Sequence, residues 1–185
     1  KDDKVLLFTG RIVPEKGVME LIKSLEKIKY DKYKLLIIGS ALNKLKTKTT
    51  YQLEIERVVK NLQEKIVFTG FVKYDEIHKF YSIADIAILP SIWNDPAPLT
   101  IIEALVSGLP IITTNSGGIP EYAKNGSAVI IPRNSNIIDE LGKNIDFLLN
   151  NKNKLADMAL IAKKVSKDLT LVNYYKNFTN IVEKG

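Results

Sequence analysis

Short apolar runs, each stopped by a glycine or proline, alternate along this chain with longer stretches of helical periodicity. Val5, Leu6, Leu7 and Phe8 run on to Gly10, 34–38 to Gly39, 66–69 to Gly70, and 86–89 to Pro90. Two more such runs fall at 110–113 and 128–131. Between the first two, Val18, Leu21, Ile22, Leu25 and Ile28 share one face of a helix over 17–28. Further helices are expected at 51–62, at 75–83 with Asp75 as cap, and at 99–106 closed by Gly108. Three more follow at 137–149, 152–167 and 171–184. Strands apolar on both sides and separated by helices must be covered on both faces. The pattern therefore predicts an α/β fold with a six-stranded parallel sheet and right-handed crossovers. We read residues 1–185 as one domain, with a core over about 4–150 and C-terminal helices over about 152–184. No internal repeat interrupts it, and the lysine-rich stretch 40–50 reads as a mobile loop.

Composition narrows the chemistry. The chain has no cysteine, which excludes disulfides, thiolate metal sites and cysteine nucleophiles. No apolar run nears the ~20 residues that span a bilayer. There is no leader-like segment and no initial Met, and the chain reads as a domain cut from a longer protein. Net charge is +6, which favours anionic partners. The lysines are spread throughout, however, and Arg11, Arg57 and Arg133 are the only arginines, unlike the clustered basic surface of a nucleic-acid binder.

In such sheets ligands bind beyond the carboxyl ends of the strands. After the first strand, Gly10 permits a tight turn and close backbone approach, and Arg11 and Lys16 bring two cations near a helix start. These suit a diphosphate, although a solvated loop would look the same. After the fourth strand, Asn94-Asp95-Pro96-Ala97-Pro98-Leu99-Thr100 stiffens a loop and opens a helix that carries Glu103. Apolar neighbours Ile101, Ile102, Ala104 and Leu105 put Glu103 in a crevice, where an acid needs a partner such as a vicinal diol. After the fifth strand, Gly117 and Gly118 precede Pro120 and Glu121, as in a loop that offers backbone amides to phosphate or hydroxyl groups. G-x-G-x-x-G after the first strand, a P-loop and D-x-D are all absent, which disfavours dinucleotide, NTPase and metal-clamp readings. His78, the single histidine, reads as a surface residue.

The runs FTGRIVPEKGVMELI, LLIIGS, IVFTGFV, ADIAILPSIWNDPAPLTIIEALVSGLPIITTNSGGIPEY and NGSAVII, in this order, resemble the C-terminal, donor-binding domain of retaining GT-B glycosyltransferases, glycosyl transferases group 1 (family 4). The resemblance implies a Rossmann-like α/β/α half of a GT-B fold that lacks its acceptor-side N-terminal domain. It implies a metal-independent transferase in bacterial polysaccharide or glycolipid synthesis, with a UDP- or GDP-type sugar nucleotide as donor substrate and no cofactor. Arg11 and Lys16 would hold the diphosphate, and Asp95 would take the place of the first acid of the E-x7-E pattern, near the transferred sugar. Glu103 would be the second acid, on the ribose. Gly10, Leu99, Thr100, Gly117 and Gly118 would complete the donor seat, with Gly70, Phe71 and Val72 against the base. Where the family usually has E-P-F-G-L, this chain has Asp95-Pro96-Ala97-Pro98-Leu99: the acid is one methylene shorter, and Pro98 has no N–H to offer. The expected partners are the sugar nucleotide, the missing N-terminal domain (against Tyr174, Tyr175 and Phe178) and a peripheral membrane surface at the inner, cytoplasmic face. The isolated domain is expected to transfer sugar poorly or not at all. Rival readings are a GT-B-like epimerase or phosphorylase, a non-catalytic nucleotide-binding module and, more distantly, a flavodoxin-like signalling domain.

Overall fold

The computed structural model describes residues 3–40, 49–60 and 62–184. Most of the lysine-rich stretch read as a mobile loop, 41–48, lies outside the described residues. The six apolar runs form β1 (Lys4–Thr9), β2 (Tyr33–Ile38), β3 (Ile66–Gly70), β4 (Ile86–Leu89), β5 (Ile111–Thr114) and β6 (Ala128–Ile131). All pair in parallel in the order β3-β2-β1-β4-β5-β6. The order reverses between β1 and β4, the position at which doubly wound sheets open a crevice.

Alternate residues of each strand feed the two faces. Leu6, Phe8, Ile86, Ile88 and Ile112 enter one core, with Leu21 and Ile22 of α1 (Val18–Ser24), Ile55 of α2 (Thr50–Val59), and Leu141 and Ile145 of α6 (Ile137–Leu149). Leu7, Ala87, Leu89 and Ile111 enter the other. There they meet Tyr81 of α3 (Tyr74–Ile83), Ile101 and Leu105 of α4 (Leu99–Val106), and Ile119 of α5 (Ile119–Tyr122). The three-layer α/β/α architecture is thus the one the strand pattern dictates. α7 (Lys152–Ser166) buries Leu155, Met158, Ala162 and Val165 and so joins the core, whereas α8 (Leu171–Lys184) leaves Leu171, Tyr174, Tyr175, Phe178 and Ile181 exposed.

Local differences from expectation have local causes. Asp75 does not cap α3; Lys73 is the cap residue, without a side-chain bond, and Asp75 lies in the first turn, where it still complements the helix dipole. α2 starts at a capping box, in which Thr49 Oγ1 accepts from the Gln52 N–H while the Thr49 N–H donates to Gln52 Oε1. α1 tightens into a 3-10 turn over Leu25–Lys27. The fifth strand runs one residue later than expected, because Pro110 has no N–H for the ladder.

Candidate functional site

The β1 exit folds into a 3-10 turn, Pro14–Lys16, closed by Gly17 in the left-handed region at φ 70°. Only glycine fits there: a Cβ on Gly17 would stand 2.0 Å from the Pro90 carbonyl oxygen. The turn is tied to the β4 exit, since the Ile92 N–H donates to the Glu15 carbonyl at 3.0 Å and Ser91 Oγ donates to the same oxygen at 3.2 Å. This fastening sets Lys16 against the loop before α4. Lys16 Nζ donates to Asp95 Oδ2 at 2.6 Å, in an ion pair whose side chains are 26% and 19% exposed. Thr9, Pro98, Thr100 and Ile119 help to line a hollow around the pair, which has only about 10 Å³ free, about one water.

The Asp95 loop is held from the β5 side. Thr113 Oγ1 donates to the Leu89 carbonyl at 2.8 Å, and Thr114 and Ser116 hydroxyls donate to the carbonyls of Ser91 and Trp93. The Gly118 N–H donates to the Asp95 carbonyl at 3.0 Å. A Cβ on Gly117 would come within 2.2 Å of that oxygen, and one on Gly118 within 2.1 Å of the Pro96 carbonyl oxygen. The close approach of the paired glycines serves the fold as well as any ligand. They let the β5 loop close against the backbone of Asp95 and Pro96, and the Gly118 amide is already spent. The Gly10 amide is likewise spent on the Ile38 carbonyl.

Glu103 lies one and a half turns into α4 and is half-buried. The Tyr81 hydroxyl donates to Glu103 Oε2 at 2.9 Å, and 2.7 Å separates that hydroxyl from Thr9 Oγ1. Burial raises the carboxyl of Glu103 above the ordinary glutamate range, against the opposing effect of the Tyr81 hydrogen bond. Burial also pushes the Tyr81 phenol far up, so it remains a proton donor. A second hollow of about 460 Å³ is lined by Glu103, Tyr81, Tyr74, Asp75, Ile77, His78, Val106 and Ser107. His78 is on the surface, as expected, at the rim of this hollow.

Lys16 and Asp95 are thus brought together, and Thr9 links their hollow to Glu103 through Tyr81. Arg11 is exposed and lines neither hollow, so neither of the two gathers Arg11, Lys16 and Glu103. Leu99 is 66% exposed at the start of α4, and Thr100 lines the Lys16 hollow; the amides of both belong to the first turn, which lacks intrahelical acceptors. Gly70 lines a third hollow with Ile12, Gly39, Ser40 and Phe68, while Phe71 is exposed and Val72 packs inward. Thr9 and Tyr81 escaped sequence reasoning. The available signal was a tyrosine on the inner face of a short helix, whose hydroxyl must find a partner once buried.

The chain belongs to the glycosyl transferases group 1 family, whose model matches residues 1–165. Among relatives, it is 30% identical to YtcC of Bacillus subtilis (strain 168) over 166 residues, which are 89% of this chain and 41% of that one. It is 30% identical over 129 residues to the lipopolysaccharide 1,2-N-acetylglucosaminetransferase of Salmonella typhimurium, covering 68% of this chain and 34% of that enzyme. Its fold matches Anabaena Alr3699/HepE, solved in complex with UDP-glucose, with a TM-score of 0.85 and 21% identity over 100% of this chain and 50% of that one. The fold is therefore that of one half of a GT-B structure, and the chain spans half or less of the length of these relatives.

Proposed function

We propose that this chain is the donor-binding half of a retaining glycosyltransferase that moves a sugar from a nucleotide diphosphate sugar to an acceptor hydroxyl, in cell-surface polysaccharide or glycolipid synthesis at the cytoplasmic membrane face. One observation carries the reading: the Lys16–Asp95 hollow and the Glu103 hollow adjoin through Thr9 and Tyr81 at the β1/β4 switch in strand order. Two neighbouring hollows, one with a cation and the other with a carboxylate, suit a ligand with a diphosphate and a diol.

In this reading Lys16 exchanges Asp95 for the diphosphate, and Arg11 closes over it from the rim. The bond from the anomeric carbon to the diphosphate oxygen breaks, a bond to the acceptor oxygen forms, and the proton of the acceptor hydroxyl passes to an oxygen of the departing diphosphate. Negative charge gathers on the departing nucleoside diphosphate, where Lys16 and Arg11 stabilise it electrostatically. The first-turn amides of α4, at Leu99 and Thr100, add the positive end of the helix dipole. Asp95, released from Lys16, faces the transferred sugar. Glu103 accepts from the ribose hydroxyls, and the hollow of Ile12, Phe68 and Gly70 takes the base, with Phe71 and Val72 at its edge. The exposed apolar residues of α8, Tyr174, Tyr175 and Phe178 among them, pack against the N-terminal half of the same protein.

The test is calorimetry of UDP-glucose, GDP-mannose and ADP-glucose on the full-length protein, followed by turnover of Lys16→Ala. One donor should bind well below millimolar, and Lys16→Ala should lower kcat about 10²–10³-fold. Millimolar or weaker binding of all three would favour the non-catalytic module, and near-normal kcat in Lys16→Ala would reject its role.

A further inference from the structure

Tyr81 is 2% exposed, yet its hydroxyl joins two groups that line different hollows. Its single proton goes to Glu103 Oε2, so Thr9 must donate to the phenol oxygen. Thr9 is 4% exposed at the last residue of β1, held by the sheet, and so supplies a fixed origin for the relay. Glu103 lines the 460 Å³ hollow, and its Oε1 has no hydrogen bond to any described residue. The carboxylate is thus held by one oxygen, with the other left to a ligand.

We propose that Tyr81 is a positioning residue: oriented by Thr9, its hydroxyl fixes the Glu103 carboxylate so that Oε1 is presented to a ligand diol. Without it, Glu103 keeps its charge but loses its preferred rotamer, and a flexible glutamate discriminates poorly between a diol and its deoxy analogue. The proposal rests on the reading of Glu103 as the ribose acceptor. Tyr81 touches no ligand; it acts through Glu103.

The full-length protein is titrated with UDP, GDP and ADP, and then with the 2′,3′-dideoxy form of whichever binds most tightly. The wild type should prefer the ribose form by tenfold or more, as for hydrogen bonds to a charged group. Glu103→Gln and Tyr81→Phe should each remove most of that preference, with dideoxy affinity nearly unchanged. Tyr81→Phe also strands the buried Thr9 hydroxyl and should lower Tm. Adding Thr9→Val removes the stranded hydroxyl as well, which should recover the part of Tm lost to it without restoring the ribose preference. This separates positioning from mere structural support, and it keeps the test open should Tyr81→Phe alone fail to fold. Ribose preference that persists in Tyr81→Phe, or returns with Tm in the double variant, overturns the proposal while Glu103→Gln still upholds the acceptor role. A wild type that binds none of the three, or binds ribose and dideoxy forms alike, overturns both, as does a Glu103→Gln variant that discriminates normally.

Discussion

Asp95→Asn should strengthen, not weaken, binding of inorganic diphosphate. In the structure Lys16 already has a counter-ion, Asp95 Oδ2 at 2.6 Å, and the hollow around the pair has about 10 Å³ free. An incoming anion must therefore break this ion pair before it can use the ammonium. Unit charges at roughly 4 Å attract by about 4 kcal/mol at an effective dielectric constant near 20. Desolvation of both ions and immobilisation of the lysine cancel most of that, and the pair is mostly but not fully buried, so ~1 kcal/mol net is a fair size. Releasing it corresponds to about a fivefold gain in affinity. Isothermal titration of the wild type, Asp95→Asn, Lys16→Met and the double variant with diphosphate forms a double-mutant cycle. The gain from Asp95→Asn should shrink in the Lys16→Met background, because only the general loss of a negative charge remains there. Equal gains in both backgrounds, or weaker binding by Asp95→Asn, would refute the idea that Asp95 holds Lys16 in reserve.

Two more predictions concern stability. Glu103 has a folded-state carboxyl raised above its ordinary 4.5, so between 4.5 and the raised value the native state binds more protons than the unfolded chain, and stability falls as pH rises through that window. Glu103→Gln should flatten this fall in a Tm-versus-pH series relative to the wild type; parallel curves for the two proteins would contradict the burial argument. Gly117→Ala puts a Cβ 2.2 Å from the Asp95 carbonyl oxygen at a φ of +52°, and should cost at least ~1–3 kcal/mol in denaturant unfolding and displace the Asp95 loop. Unchanged stability together with unchanged diphosphate affinity would show that this close approach does not fasten the loop.

The layered fold was legible in the sequence because its signals are short-ranged. Leu6-Leu7-Phe8 and Ile86-Ala87-Ile88 are apolar on both sides, and such strands demand helices on both faces. Lys16, Asp95, Leu99, Thr100 and Glu103 stood out because each follows a strand end, and the motif order around them marked the family. Tertiary structure alone decided which of these residues meet. The pairing of Lys16 with Asp95 spans 79 positions, and that of Thr9 with Tyr81 spans 72; both depend on β1 and β4 lying side by side in the sheet. Nothing in the local pattern specifies that adjacency, nor that Gly117 and Gly118 brace Asp95 and Pro96 with the Gly118 amide spent on the Asp95 carbonyl, nor that Arg11 stays exposed outside both hollows. Local propensity and periodicity fix what each segment becomes, whereas strand order and loop contacts are set by packing between residues far apart in the chain.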